Sequence, residues 1–288
     1  MSGRIPHRPL CEFVAGEARF YLGNETKIMG VLNVTPDSFS DGGSFLDPGR
    51  AQAAALRMRD EGALFLDIGG ESSRPGARSI SWREETRRIL PVLRRLVGKI
   101  GIPISVDTHK AEVASAALDE GASIINDIHG LRSGKKLARL LARKKASVIL
   151  MHMRGTPRSM QKNPSYRNVV REVMAGLEKS VRLAREAGIE RSRIMIDPGF
   201  GFGKTIEHNF EMLSHLDQFV RLGYPVLVGL SRKSFLGSVL SLPVGRRLYA
   251  SLAAASCAIE RGAHVLRVHE VSPHRHVAAI TDRILATQ

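Results

Sequence analysis

The stretch Ile104-Ser-Val-Asp-Thr-His-Lys-Ala-Glu-Val-Ala-Ser-Ala-Ala-Leu-Asp-Glu-Gly-Ala-Ser-Ile-Ile-Asn-Asp127 holds one complete unit of the fold. Ile104 to Asp107 is a short β-branched run, which reads as a strand. Glu112 to Asp119 has helical spacing, and Gly121 stands just past it, where the left-handed C′ conformation costs glycine nothing. Ser123 to Asp127 then begins the next strand. Neither run alternates apolar with polar residues, which argues for parallel strands covered on both faces.

The unit recurs along nearly the whole chain. Further apolar runs centre on Lys27 to Asn33, Leu64 to Ile68, Ser147 to Met151, Arg193 to Asp197, Val226 to Gly229 and His264 to Val268. Helical spacing is found in Gly49 to Glu61, Trp82 to Val97, Lys135 to Lys144, Val169 to Ala187, His208 to Leu222, Leu248 to Glu260 and Pro273 to Leu285. Asp60-Glu-Gly-Ala, Glu186-Ala-Gly-Ile and Glu260-Arg-Gly-Ala repeat the helix-ending glycine. Eight strand-helix units in roughly 250 residues are the size of a single (β/α)8 barrel in the α/β class. A doubly wound sheet would show a Gly-rich dinucleotide turn after its first strand, and here that turn reads Asn33-Val-Thr-Pro-Asp-Ser. Cys11 to Tyr21 reads as a short strand or hairpin closing the bottom of the barrel. Residues 1–10 are expected to be a flexible tip and 11–288 one domain.

With 43 Lys plus Arg against 28 Asp plus Glu the net charge is +15, so nucleic acid, anionic membrane and a phosphorylated small molecule all come into question. The clusters Arg87-Arg88, Lys135-Lys136 and Lys144-Lys145 fall on the wet faces of amphipathic helices, and only 5% of residues are aromatic, so no stacking platform for nucleic acid is evident. Two distant cysteines, Cys11 and Cys257, offer neither a disulfide framework nor a thiolate metal site, which fits a reducing cytoplasm. No secretory h-region and no run of 18 apolar residues occurs, so no membrane span is expected.

In such a barrel the C-terminal strand ends share one rim. Those ends carry Asn33, Asp67, Asp107, Asn126 with Asp127, His152, Asp197, Ser231 with Lys233, and Arg267 with His269. A single Asp or Asn there is accounted for as a helix N-cap, but eight polar ends together are not. Asp197-Pro-Gly-Phe-Gly-Phe-Gly-Lys204 lacks Walker spacing; its glycines would let backbone approach a flat ligand while Phe200 or Phe202 offers a ring face. Gly69-Gly-Glu-Ser-Ser-Arg-Pro-Gly76 is similar, and Arg74 there is either a forked donor for a carboxylate or phosphate or a solvated loop residue.

Gly30-Val-Leu-Asn-Val-Thr-Pro-Asp-Ser-Phe-Ser-Asp-Gly-Gly43, Gly69 to Gly76, Ser105-Val-Asp-Thr108, Ile125-Asn-Asp127, Met151-His-Met153, Asp197 to Lys204, Gly229-Leu-Ser-Arg-Lys-Ser234 and Arg267-Val-His269 together resemble the dihydropteroate synthase family, from about residue 12 to residue 285. The resemblance implies a TIM barrel joining 6-hydroxymethyl-7,8-dihydropterin diphosphate to p-aminobenzoate with release of pyrophosphate, in folate biosynthesis. It also implies Mg²⁺ and a homodimer.

Carried over residue by residue, it makes Asp107, Asn126, Asp197 and Lys233 the pterin-binding set, with Ile128, Met151, Phe202 and Gly229 around the ring. Met151 reads equally well as ordinary core. Asn33, Ser73, Arg74, Arg267 and His269 fall at the diphosphate end, with Asn33 as metal ligand. Phe39, Ser73, Arg74, Pro75, Phe202, Ser231 and Lys233 fall around p-aminobenzoate, and Arg267, His269, Lys233, Asp37 and Asp41 are the implied catalytic group. Two loops, Thr35 to Phe45 and Ser72 to Ser79, match the family's mobile loops. Ser73 stands where many members carry Thr, and Ile128-His-Gly130 where an Arg or Val followed by a small residue is more usual; both concern the shape of the aminobenzoate pocket. A methyl-transferring pterin barrel would share the Asp/Asn set, but a methyl donor has no diphosphate to occupy Arg267 and His269. A basic nucleic-acid-binding protein would instead lose affinity steeply with salt.

Overall fold

A computed structural model of the chain describes residues 8–35 and 47–287. A hairpin of β1 (Cys11–Ala15) and β2 (Ala18–Leu22) precedes the barrel strands β3 (Lys27–Asn33), β4 (Phe65–Gly69), β5 (Ile104–Asp107), β6 (Ile124–Asp127), β7 (Ser147–Met151), β8 (Ile194–Asp197), β9 (Leu227–Val228) and β10 (Val265–Val268). The eight barrel strands are parallel, in the order β8-β7-β6-β5-β4-β3-β10-β9. A parallel bridge between Ile196 and Val226 joins the two ends and closes the ring.

The helices between them are α1 (Pro48–Asp60), α2 (Trp82–Leu96), α3 (Ala111–Asp119), α4 (Lys135–Arg143), α5 (Val169–Glu186), α6 (Ile206–Ser214), α7 (Leu216–Val220), α8 (Ser234–Val239), α9 (Leu248–Glu260) and α10 (Val271–Leu285). After α3, Gly121 has φ +103°, and its N–H bonds to Leu118 O at 3.2 Å, so the chain turns into β6 where the sequence places the stop. The expected helix over His208 to Leu222 is two helices meeting at His215, whose φ of −117° leaves the helical region. There the Ser214 hydroxyl bonds back to Glu211 O at 2.9 Å, competing with the ladder. The six-residue α8, directly after Lys233, is not among the segments with helical spacing.

Strand parity explains why the runs are apolar throughout. One parity (Ile28, Leu66, Val106, Ile125, Val148, Ile196, Val228, Leu266) packs outward in the core shared with the helices. The other supplies Met29, Phe65, Ile124, Ile149, Met195, Leu227 and Val265, which meet Phe13 and Leu22 of the hairpin inside the barrel. Phe13 and Phe20 meet Phe65 edge-on, with centroids 6.0 and 5.2 Å away. This apolar plug floors the barrel, and the next inward position on each strand is about 6.6 Å higher.

The chain is anchored earlier than the expected flexible stretch of residues 1–10 allows. Arg8 is 1% exposed. Its guanidinium donates to Gly23 O, Thr26 Oγ1, Ala263 O and Asp282 Oδ1 at 2.6–3.0 Å, tying the N-terminus to α10 below the barrel. Residues 8–10 therefore belong to the folded domain. On the surface, Lys136 and Lys144 pair with Glu112 and Asp119 of the neighbouring helix. Among the described residues no helix is long and apolar enough to cross a membrane.

Candidate active site

Two residues above the floor, parity brings Asp67 over Phe65, Asn126 over Ile124, Met151 over Ile149, Asp197 over Met195, Gly229 over Leu227 and Arg267 over Val265. On β5, Asp107 pairs with Gly69 of β4, two residues beyond Asp67, and with Asn126 of β6. At the centre, Arg267 Nε donates to Asp67 Oδ2 at 2.6 Å, and Nη2 reaches the same oxygen at 2.6 Å and Asp107 Oδ2 at 3.1 Å. Asn126 Nδ2 also donates to Asp67 Oδ2, at 3.1 Å. Asp67 is wholly buried and holds both Arg267 and Asn126, although its sequence position marks it only as one more polar strand end. Burial pushes the Asp107 carboxyl up to about 8; Arg267 opposes this, while Asp67, Glu85 and Asp127 add to it. Asn126 Oδ1 and Asp67 Oδ1 are buried without a protein hydrogen-bond partner, so this level offers acceptors to an incoming donor.

Asp127, one residue out of phase, serves the turn after β6 instead. Its carboxylate accepts from His129 N at 2.9 Å and Leu131 N at 2.6 Å.

The Gly-rich loop after β8 is held by Lys204, whose buried ammonium donates to Gly199 O (2.9 Å), Phe202 O (3.0 Å) and His152 O (3.3 Å). Burial lowers it to about 7. Gly199 N donates to Asp197 Oδ1 at 2.7 Å, fixing that carboxylate. Only glycine fits there: φ is +73° and a Cβ would lie 2.0 Å from His152 O. The loop sets Phe202 beside a small apolar group of Ile128, Met151, Met153 and Met160. Lys233 Nζ stands 4.3 Å from the Phe202 ring centroid, and burial lowers its pKa to about 8. In front of Gly229 the space is open: no atom lies within 4 Å of where a Cβ would be.

Arg267 and Lys233 border a cationic corner around His269. Burial, then the charges of Arg267, Arg232, Lys233 and Arg74, hold the His269 imidazole down to about 3, so it is neutral at pH 7. Its Nδ1 lies 3.0 Å from Ser231 Oγ, and the Arg232 guanidinium is tied to Glu270 at 2.6 Å. Arg74 thus acts on this corner through its charge while remaining exposed, as does Pro75. Asn33 ends β3 opposite Gly69 of β4, and Asn33 Oδ1 would lie 3.5 Å from a Cβ added there.

Ser73 lines a cavity of about 550 Å³ together with Asp107, Ile128, His109 and His129. The two imidazoles are stacked, centroids 4.2 Å apart and 2° from parallel. Asp37, Phe39 and Asp41 lie outside the described residues. Sequence reasoning passed over Lys204, visible only as the end of its motif, and Lys110, whose signal was its place three residues after Asp107.

Residues 29–269 match the model of the pterin binding enzyme family. The chain is 45% identical over 246 residues to dihydropteroate synthase of Haemophilus influenzae, a match covering 85% of this chain and 89% of that protein. It superimposes on dihydropteroate synthase of Xanthomonas albilineans with 4-aminobenzoic acid at a TM-score of 0.89 and 41% identity, over 96% of this chain and 98% of that one. For the X. albilineans enzyme in complex with 7,8-dihydropteroate the TM-score is 0.85 at 39% identity, over 95% and 98% of the two chains.

Proposed function

The chain belongs to the dihydropteroate synthase family of pterin-binding enzymes, and from that premise we propose how its own residues carry the reaction. The protein is a transferase that condenses 6-hydroxymethyl-7,8-dihydropterin diphosphate with p-aminobenzoate, giving 7,8-dihydropteroate and pyrophosphate in folate biosynthesis. The observation that carries the assignment of roles is the ring of polar groups one level above the apolar floor, adjoining the cationic corner at His269.

The aminopyrimidinone edge of the pterin presents donors beside acceptors, which Asp107, Asp197 and the Asn126 amide match, with Lys233 at a ring carbonyl or nitrogen. Met151, Ile128 and Phe202 pack on the ring, and open Gly229 admits it. Arg267, His269, Arg74, Ser73 and Asn33 then face the diphosphate. Asn33 would hold Mg²⁺ through the neutral hard oxygen that suits this ion, and no cluster of three His, Cys, Asp or Glu among the described residues offers an all-protein site. When bound, Mg²⁺ neutralises charge on the departing group. The C9–O bond breaks with its electron pair leaving on pyrophosphate, stabilised by Arg267 and by a hydrogen bond from His269. The neutral aryl amine then forms the C9–N bond and releases its proton to water, with no strong base required. Ser73, Arg74, Pro75, Phe202, Ser231 and Lys233 surround the aminobenzoate; Phe39, Asp37 and Asp41, which the resemblance assigns to this pocket and to the catalytic group, lie outside the described residues.

Pyrophosphate release from the pterin diphosphate, with and without p-aminobenzoate and Mg²⁺, tests this. Release should require Mg²⁺ and rise with p-aminobenzoate; release indifferent to both would overturn the reading. We further propose a cytoplasmic homodimer. Supporting this are two unpaired cysteines and exposed apolar side chains concentrated near the C-terminus, Leu240, Val244, Tyr249, Ile280 and Ile284 among them. Sedimentation velocity showing only a monomer at assay concentrations would exclude the dimer.

A further inference from the structure

The loop joining β4 to α2 carries Ser73, Arg74 and Pro75 and has few apolar anchors of its own. Its two feet are nonetheless fixed. Ile80 N–H donates to Glu71 Oε1 at 2.9 Å, so the loop closes on itself at the base. Lys110 Nζ donates to Glu71 Oε2 at 2.7 Å, to Ile80 O at 2.8 Å and to Glu85 Oε2 at 2.6 Å, which uses all three ammonium protons. Glu85 is buried in the first turn of α2, and Lys110 follows Asp107 by three residues. One ammonium therefore ties both feet of the loop to α2 and to the segment bearing a pterin-site carboxylate. At the tip, a backbone bond from Gly76 N to Pro157 O at 3.0 Å bridges to the loop after β7.

The charges suit a clasp. Burial raises the Glu85 carboxyl, while the Glu71 carboxyl, despite its burial, is held below the usual range by Lys110 and the Ile80 N–H. The three side chains are less than one-sixth exposed, so water screens them little.

We infer that Lys110 is the positioning residue of the aminobenzoate loop: it sets where Ser73, Arg74 and Pro75 stand relative to Asp107, and so governs aminobenzoate affinity and not pterin recognition. The inference rests on the substrate roles proposed above. Without the clasp the loop samples more conformations, and the fraction competent to receive the second substrate falls.

The test compares wild type, Lys110→Met, Lys110→Arg and Glu71→Gln. Lys110→Met should raise KM for p-aminobenzoate by about tenfold or more, with the Kd of 6-hydroxymethylpterin in calorimetry within about threefold. Trypsin cleavage after Arg78 should accelerate by about tenfold, and Lys110→Arg should recover most of both effects. If Lys110→Met does not fold, Glu71→Gln should show the same pattern in weaker form. Unchanged KM and proteolysis, or KM and pterin Kd rising together, would overturn the clasp. A wild-type enzyme that makes no product would instead refute the functional reading, with the trypsin comparison still judging the clasp.

Discussion

Asp67→Asn changes one oxygen into an amide nitrogen at the point where the site is tied together. Asp67 Oδ2 receives two bonds from Arg267 and one from Asn126, all at 2.6–3.1 Å, in a fully buried position. An asparagine oxygen still accepts hydrogen bonds but carries no charge. Bonds to a charged acceptor contribute about 1.5 to 3 kcal/mol against about 1 for neutral ones, so weakening the two Arg267 bonds costs about 2 kcal/mol. Breaking a buried pair outright costs about 3 to 5 kcal/mol, a ceiling not reached here because Asp107 still meets Arg267. For a chain of this length that corresponds to a Tm lower by about 5 °C near pH 6.

The pH dependence carries a second signature. Asp107 titrates near 8 in the folded protein and near 4 unfolded, so across that window the folded state holds a proton that the unfolded state releases, and this group's contribution to stability falls as pH rises. Removing the Asp67 charge lowers the Asp107 pKa, so the variant loses less over the same window and its deficit should shrink toward pH 9. Arg267 and Asn126 also lose their common anchor, and kcat should fall by about tenfold or more. Calorimetric melts from pH 5 to 9 with pyrophosphate-release assays measure both. A Tm within about 1 °C of wild type at every pH, with kcat intact, would refute the claim that Asp67 holds Arg267.

Lys233 is charged below about 8 and neutral above it, so affinity for the p-aminobenzoate carboxylate should fall as pH rises through that value; Lys233→Arg should abolish the break, and an unshifted pH profile would contradict it. Arg8→Met leaves buried Asp282 uncompensated and should destabilise by about 3 kcal/mol in urea titration with kcat and KM unchanged, because the pair lies at the opposite end of the barrel from Arg267. Gly199→Ala should weaken pterin binding by at least about tenfold in calorimetry, since its Cβ cannot coexist with His152 O and the displaced loop releases Asp197.

The barrel was legible because its signals are local. Each strand's two parities, its polar end and the glycine after each helix are all readable within one unit of about 30 residues. The pattern therefore located the polar strand ends Asp67, Asp107, Asn126, Asp197 and Arg267. Partnerships were not legible, because Arg267 meets Asp67 across 200 residues and Asp107 across 160, and Arg8 finds Asp282 across 274. No local pattern distinguishes Asp67, which anchors the site, from Asp127, which caps a turn; one residue of phase on the strand decides between them. The kink at His215 and the short α8 escaped for a related reason. The kink turns on a single hydrogen bond and α8 spans only six residues, and periodicity averages over both.

The two departures from the family pattern illustrate how long-range packing changes the meaning of a local reading. In sequence, Ser73 and the Ile128-His-Gly130 segment are separate oddities. In the fold, Ser73, Ile128 and His129 line one cavity, and His129 lies flat against His109, which lines it too. Burial, and then the charges of His109 and Arg132, lower the His129 imidazole to about 4; burial also lowers His109. At neutral pH the stack is therefore uncharged, and it presents aromatic surface to the cavity rather than a third cation beside Arg78 and Arg158. A serine lacking threonine's methyl and a flat neutral imidazole pair therefore act together on the shape of one cavity.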